Sequence, residues 1–213
     1  MATMRTGSRE RVLPVAAREP LPERLPLSID GDPLDFLCNS HHAQLALCDV
    51  LEGIADSLPN DIDRRLCFRA AMALRVDISL HHLDEERGLF PLLRKRVSVH
   101  ESLQSSLQRL ESEHYADEGF SEEVIEGLEA LSRARADINH ELIGYMLRGF
   151  FESIRRHIAF ENEVLLPLAR NAFTSGDLDT LAAVMRQNRV NAPRALLPDG
   201  PCGDTLAVIW SED

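Results

Sequence analysis

The chain has 213 residues, of which 44% are hydrophobic and only 5% aromatic, so it can form one sizeable and mostly aliphatic core. Its formal net charge of −12 opposes nonspecific binding to DNA or RNA, because both are themselves anionic. The sequence has neither a signal-peptide pattern near its start nor an apolar run long enough to span a bilayer. These features predict a cytoplasmic protein that binds no nucleic acid and no membrane.

The first two predicted elements are long helices. A first helix is predicted over residues 33–57, where Asp32 can serve as the N-cap and a proline occupies the first turn. A second helix is predicted to begin at Asn60, as its N-cap, and to reach about Val97. Each has apolar residues at the spacing of one helix face.

Three more helices are predicted in the second half of the chain. The third begins near His100, bends or breaks near Gly119 and continues towards Arg135. The fourth spans about residues 139–172, and a short fifth helix spans about residues 177–187. No strand-like alternation of apolar and polar residues appears, so the sequence predicts an all-α protein.

These elements predict an up-down-up-down four-helix bundle with a short extra C-terminal helix, formed by residues 33–187. Residues 1–32 are rich in proline and arginine and are predicted to be a disordered or mobile arm. Residues 188–213 are predicted to form a Pro-rich tail. The tail ends in an apolar segment, residues 206–210, which is predicted to pack on the bundle or on a redox or signalling partner.

One pattern occurs twice, 76 residues apart, on the second and fourth predicted helices: His81-x-x-x-Glu85 and His157-x-x-x-Glu161. Residues four apart share a helix face, so each copy presents an imidazole and a carboxylate in the same direction. A single histidine precedes each copy on the preceding helix. Four antiparallel helices can thus place four imidazoles and two carboxylates around one interior point, from His41, His81, Glu85, His114, His157 and Glu161.

This donor set predicts a site for two metal ions, with iron as the leading candidate. Burying Glu85 and Glu161 is costly unless each is paired or binds a metal, and a purely structural polar core is the alternative. The histidines would be terminal ligands and the two glutamates would bridge the metals. Two ferric ions would then remain strongly positive, which favours an oxo or hydroxo bridge and open positions for dioxygen, peroxide or nitric oxide.

Two neighbouring residues leave alternatives open. Glu118 follows His114 by one helical turn, so it is either a seventh ligand or a solvated residue near the predicted bend. His42 is the weaker alternative to His41, which has apolar residues on both sides of it on one helix face. Three other histidines are predicted not to bind metal. His82 lies on a polar helix face, His100 lies near a helix start, and His140 lies too far along its helix from His157.

The chain resembles the hemerythrin-like proteins, in particular the bacterial branch with the HHE cation-binding domain, over about residues 33–172. The matching segments are DPLDFLCNSHHAQLALCDVLEGIA, HHLDEERGLFPLL, LESEH and RHIAFENEVLLPLA. The resemblance implies a four-helix bundle with a non-haem, oxo-bridged di-iron site. It also implies reversible ligand binding or redox chemistry at one exposed iron.

The chain departs from the oxygen-carrying members at Glu118, where those proteins have a further histidine. It is therefore more similar to the branch associated with iron sensing, nitric oxide stress and peroxide handling. The leading hypothesis is a di-iron protein that binds or senses a small ligand in oxygen or nitrosative stress or iron homeostasis. The alternative is a di-iron oxidase, peroxidase or nitric oxide reductase; iron storage is disfavoured, and iron remains open against zinc or manganese.

Overall fold

The computed structural model describes residue 29, residues 31–97 and residues 101–191. The predictions for His100, for the C-terminal tail beyond residue 191 and for nearly all of the N-terminal arm lie outside this part. Within it the chain is all helical, as predicted. The described residues form five helices: α1 (Pro33–Ser57), α2 (residues 64–96), α3 (Glu101–Ser132), α4 (residues 140–172) and α5 (Ser175–Asn191).

Side-chain caps determine where the first two helices start. The Asp32 carboxylate accepts a hydrogen bond from the Leu34 backbone N–H at 2.8 Å, so the predicted N-cap of α1 is confirmed. The predicted cap of α2 is wrong. The Asn60 backbone N–H donates to the carbonyl of Ser57 in the turn after α1, and Asp63 caps α2 instead.

Of the bend or break predicted in the third helix, the break is wrong, because α3 is continuous through Gly119. A glycine inside a helix costs about 1 kcal/mol relative to alanine, which buried leucines on either side, including Leu110 and Leu128, can outweigh. The last helix, α5, is longer than predicted. It begins before Asp177, whose carboxylate accepts a hydrogen bond from the Thr174 backbone N–H at 2.9 Å.

Helices α2 and α4 contain π-helical segments at corresponding places. Glu85–Leu89 in α2 and Glu161–Leu165 in α4 each begin at a predicted glutamate ligand. Each segment ends two residues before a proline, Pro91 or Pro167. Proline has no N–H to donate and clashes with the carbonyl four residues earlier, and a π turn relieves this conflict. The Phe-Pro and Leu-Pro endings of the repeated motif therefore account for the local widening of the helix beside each glutamate.

The helices pack as a bundle around two apolar clusters. Helix α1 packs against α4, α2 against α3, and α5 lies along α2 near the second cluster. Among the described helices, none combines the length and the apolar character needed to cross a bilayer. The largest members of the first cluster include Leu51, Leu128 and Phe150, and those of the second include Leu37, Phe90 and Leu107.

Candidate metal centre

Buried imidazoles and carboxylates meet between the two apolar clusters. On each of α1 to α4, these residues lie at the point in the sequence where the helix passes from one cluster to the other. Exposure is 0% for both glutamates and at most 6% for the histidines. The six side chains that come together are those of His41, His81, Glu85, His114, His157 and Glu161.

These six residues form two overlapping groups, and both glutamates belong to both groups. In each group one ligand-type atom from every member lies within 4.8 Å of the others. The first group contains His41 and His81 with the two glutamates, and the second contains His114 and His157 with the same two glutamates. Two metal positions that share Glu85 and Glu161 fit this arrangement.

The histidines point the same ring nitrogen inwards. The Nε2 atoms of His41 and His81 lie 3.1 Å apart, and those of His114 and His157 lie 3.0 Å apart. Two neutral imidazoles that face each other through unprotonated nitrogens would repel one another, whereas a metal ion is bound by both. The geometry of each pair is that of two ligands for one ion.

The two glutamates lack hydrogen bonds within the described chain. Their oxygens approach histidine Nε2 atoms at 2.9–3.7 Å, but none of the four oxygens has a hydrogen bond of acceptable geometry. Leaving a buried acceptor unsatisfied costs about 1–3 kcal/mol, and more for a charged group. Four such oxygens at one point fit the binding of cations.

The pKa values of the cluster residues are set by two effects: burial disfavours the charged form of each group, and nearby charged groups of the cluster shift the pKa values as well. Burial lowers the pKa of His41 and His157, but the nearby carboxylates, Glu161 first and then Glu85, together outweigh it and raise the two pKa values to about 10 and about 9. Burial, with the nearby Glu161, raises the pKa of Glu85 to about 8. Burial, with the nearby His157, lowers the pKa of His114 to about 4. Without a metal, His41 and His157 are therefore protonated near neutral pH.

The outer ring nitrogens bind different partners in the two groups. His41 Nδ1 donates to the Asn162 side-chain oxygen at 2.7 Å, and His81 Nδ1 is buried without a hydrogen bond among the described residues. In the other group, both Nδ1 atoms donate to carboxylates: His114 to Glu86 at 2.9 Å and His157 to Glu113 at 3.3 Å. Such partners fix the orientation of a metal-binding histidine and increase its basicity.

The structure does not bring Glu118 into the cluster. Its side chain is exposed and lines a cleft of about 480 Å³ between α2 and α3, which is also lined by Glu86 and His114. His42 is exposed, and His140 lies far from the cluster beside the turn that follows α1. Of the adjacent pair on α1, only His41 faces the interior.

The sequence reasoning missed His82. Its side chain is 8% exposed rather than solvated, and its ring stacks on that of His114, with centroids 3.9 Å apart and planes 7° apart. The prediction of a polar face assumed an uninterrupted α-helix. The π segments Leu74–Ile78 and Glu85–Leu89 flank His82 and shift the register of side chains around it. The His-His pair itself was the signal that both rings could be buried.

Comparison with known proteins gives one match. The chain matches the hemerythrin HHE cation binding domain over residues 32–169, which is more than half of its length. This span includes every residue of the six-membered cluster. No match was found among curated proteins or among solved structures.

Proposed function

The chain belongs to the family of the hemerythrin HHE cation binding domain, and from this we propose that it holds two iron ions in the buried cluster. The observation that carries the proposal is the pair of fully buried glutamates, Glu85 and Glu161, whose oxygens have no hydrogen bonds in the described chain. Both belong to each of two four-residue groups with metal-ligand spacing.

The six residues of the cluster would have two kinds of task in this proposal. His41 and His81 would hold one iron and His114 and His157 the other, while Glu85 and Glu161 would bridge the two. An oxo or hydroxo group would complete the bridge. Two irons held in this way supply electron transfer and open coordination positions for a small ligand. The apolar clusters on either side keep bulk water away from the site.

The function that fits this site best is the binding or sensing of dioxygen, nitric oxide or peroxide. The corresponding role would be in the response to oxygen or nitrosative stress, or in iron homeostasis, inside the cytoplasm. The cleft beside His114 supports ligand access from solvent. Glu118 is exposed, so the second iron would have two imidazoles rather than three and a freer coordination shell.

A di-iron oxidase, peroxidase or nitric oxide reductase is the second candidate. The observation that favours it is the carboxylate behind each histidine of the second group, Glu86 and Glu113. Negative charge close to the ligands stabilises higher oxidation states of iron. Consumption of many equivalents of peroxide or nitric oxide per site, with a reductant present, would identify an enzyme; consumption of one equivalent would identify a binder.

The order of the apolar clusters along the chain supports an up-down-up-down topology for the bundle. Helix α1 joins the second cluster through Leu37 and then the first through Leu51, and α2 joins them in the reverse order. Helix α3 repeats the order of α1, and α4 repeats that of α2. Neighbouring helices along the chain would therefore be antiparallel.

Anaerobic reconstitution with ferrous iron tests the proposal. We expect about two irons per chain and a ligand-to-metal charge-transfer band when air is admitted. His81→Ala and His157→Ala should each lose iron while retaining the helical circular dichroism signal. His42→Ala, at the exposed neighbour of His41, is the matched control and should keep both irons. Full iron content in either of the first two variants would contradict the ligand assignment.

A further inference from the structure

The two iron positions of the proposed function differ in their surroundings, and from this difference we propose which of them takes the external ligand. A small neutral ligand binds beside the His114–His157 pair, reaches it through the cleft between α2 and α3, and contacts His82 there. This inference rests on the proposed di-iron site. It adds the position, the route and the residue that recognises the ligand.

The cleft adjoins only one of the two histidine pairs. Its volume is about 480 Å³, and its lining includes His114 and His82 but neither His41 nor His81. A water molecule occupies about 30 Å³ of liquid, so the cleft has ample room for a diatomic ligand or hydrogen peroxide. A ligand that enters here meets the His114 side of the cluster first.

His82 provides an unused polar group at this place. The side chain is 8% exposed and lines the cleft, and its ring has no hydrogen bond to any described residue. Neither ring nitrogen is one of the fully enclosed unpartnered atoms, so His82 can offer a hydrogen bond to a molecule in the cleft. Because it is stacked on the His114 ring at 3.9 Å, His82 is held next to a proposed ligand of the second iron.

The outer partners of the histidines favour the same position. His114 and His157 donate to the carboxylates of Glu86 and Glu113, whereas His41 donates to the neutral amide of Asn162. A carboxylate partner strengthens the imidazole as an electron donor. A metal held by the His114–His157 pair would therefore be the more electron-rich of the two, which would favour a ligand that accepts electron density, such as dioxygen or nitric oxide.

Charge around the cleft selects against anions. Glu86, Glu111 and Glu118 line it together with one arginine, Arg87. Glu111 is paired with Arg94 through two hydrogen bonds of 2.9 Å, but Glu118 has no ion pair within the described part of the chain. A cleft with an excess of carboxylates repels anions and leaves neutral molecules unaffected.

Blocking the cleft tests the route. Ser79 is a half-buried residue of the cleft lining, and Ser79→Phe fills space there. Ser112→Phe is the matched control, because Ser112 is exposed on α3 and does not line the cleft. With the diferrous protein we expect Ser79→Phe to slow nitric oxide association at least tenfold in stopped-flow measurements, and Ser112→Phe to leave it unchanged. Equal rates in both variants would overturn the route.

Replacing His82 tests the contact. His82→Phe keeps an aromatic ring against His114 and removes the ring nitrogens. We expect unchanged iron content, about tenfold faster loss of bound nitric oxide and a shifted N–O stretching frequency in the infrared spectrum. An unshifted frequency with unchanged dissociation would overturn the contact, and loss of one iron would overturn it in favour of His82 as a metal ligand.

Glu118→Gln tests the selection by charge. We expect azide to bind the oxidised protein severalfold more tightly in this variant, while nitric oxide binding to the reduced protein stays the same. An unchanged azide affinity would overturn the charge selection. Failure of the unaltered chain to take up iron would instead contradict the proposed function. Two irons per chain, with ligand binding indifferent to Ser79→Phe and His82→Phe, would overturn only this inference.

Discussion

Two adjacent residues on α2, Asp84 and Glu85, both have buried carboxylates but differ in their hydrogen-bond partners. Asp84 is 1% exposed, and its Oδ1 accepts hydrogen bonds from the side chains of Asn188 and Arg189, each at 3.0 Å. Its Oδ2 lies 2.8 Å from an Arg189 nitrogen. Glu85 is 0% exposed, and neither of its oxygens has a hydrogen bond in the described chain.

The difference shows which buried charge the fold neutralises by itself. Helix α5 brings a permanent cation to Asp84, and Arg189 also stacks over the Phe36 ring at 4.8 Å. The only basic groups that the described chain places against Glu85 are imidazoles, which can exchange a proton for a metal ion. Asp84 is therefore part of the scaffold, whereas Glu85 is available for a bound cation.

The largest expected effect comes from removing the charge of Glu85. Glu85→Gln should abolish binding of two irons, because Glu85 belongs to both ligand groups and an amide is a poor bridging ligand. The metal-free variant should be about as stable as the unaltered chain, because the pKa of Glu85, raised to about 8 by burial, already leaves its carboxyl largely uncharged near pH 7. Iron content and urea unfolding of the metal-free protein measure the two effects.

Glu122→Gln, an exposed substitution on α3, is the matched control for Glu85→Gln. It should change neither the iron content nor the free energy of unfolding. Retention of two tightly bound irons by Glu85→Gln would show that the shared carboxylate is not a bridge.

Replacing Arg189, the partner of Asp84, should have the opposite result: it should lower stability and leave iron binding unchanged. Arg189→Met should lower the free energy of unfolding of the metal-free protein by about 3 kcal/mol, because it leaves Asp84 buried without its countercharge. Iron content should stay at that of the unaltered chain under conditions where the variant is folded. Arg186→Met, at an exposed position of α5, is the control and should have little effect. A loss of stability below about 0.5 kcal/mol would contradict the structural role of the pair.

pH should act on metal binding and on metal-free stability in opposite directions. Burial lowers the pKa of both histidines, but the nearby carboxylates, chiefly Glu161 and Glu85, outweigh it and raise the pKa of His41 from 6.5 to about 10 and that of His157 to about 9. Both must lose a proton to bind metal, so ferrous iron affinity should rise with pH up to about 9. The raised pKa values stabilise the metal-free fold fully below pH 6.5, and this contribution is lost as pH rises towards 9–10.

Anaerobic iron titrations and urea unfolding at several pH values between 6 and 9 test this prediction. An iron affinity that does not change over this range would mean that His41 and His157 are already neutral in the metal-free protein.

The smallest effect is expected from the partner of His41. Asn162→Ala removes the acceptor that holds the His41 ring at 2.7 Å, and should weaken iron binding about tenfold without changing the stoichiometry. Asn171→Ala, exposed near the end of α4, is the control and should not affect binding. An unchanged affinity in Asn162→Ala would mean that packing alone orients His41.

The sequence predicted the helices and the six-residue cluster because both depend on local periodicity. The cap at Asp32 and the four-residue spacing of His81 and Glu85 can be read directly from the chain. The cap of α2 was assigned to Asn60 instead of Asp63 because both residues are good caps, and only the geometry of the turn selects between them.

Other features depend on tertiary packing and could not be predicted in this way. A break at Gly119 was expected from propensity, but the leucines packed on either side keep α3 continuous. The burial of His82 follows from π segments that change the helix register, and an ideal helical projection assigns it to the surface. The salt bridge between Asp84 and Arg189 joins residues 105 positions apart, which no local pattern relates.

X-ray absorption at the iron edge of the anaerobically loaded protein tests the dinuclear site most directly. Two irons bridged by Glu85 and Glu161 predict nitrogen and oxygen neighbours in the first shell and an iron–iron scattering contribution at roughly 3–4 Å. The iron–iron contribution should disappear in Glu85→Gln. A first shell of nitrogen and oxygen with no second metal, at one iron per chain, would contradict the bridged pair.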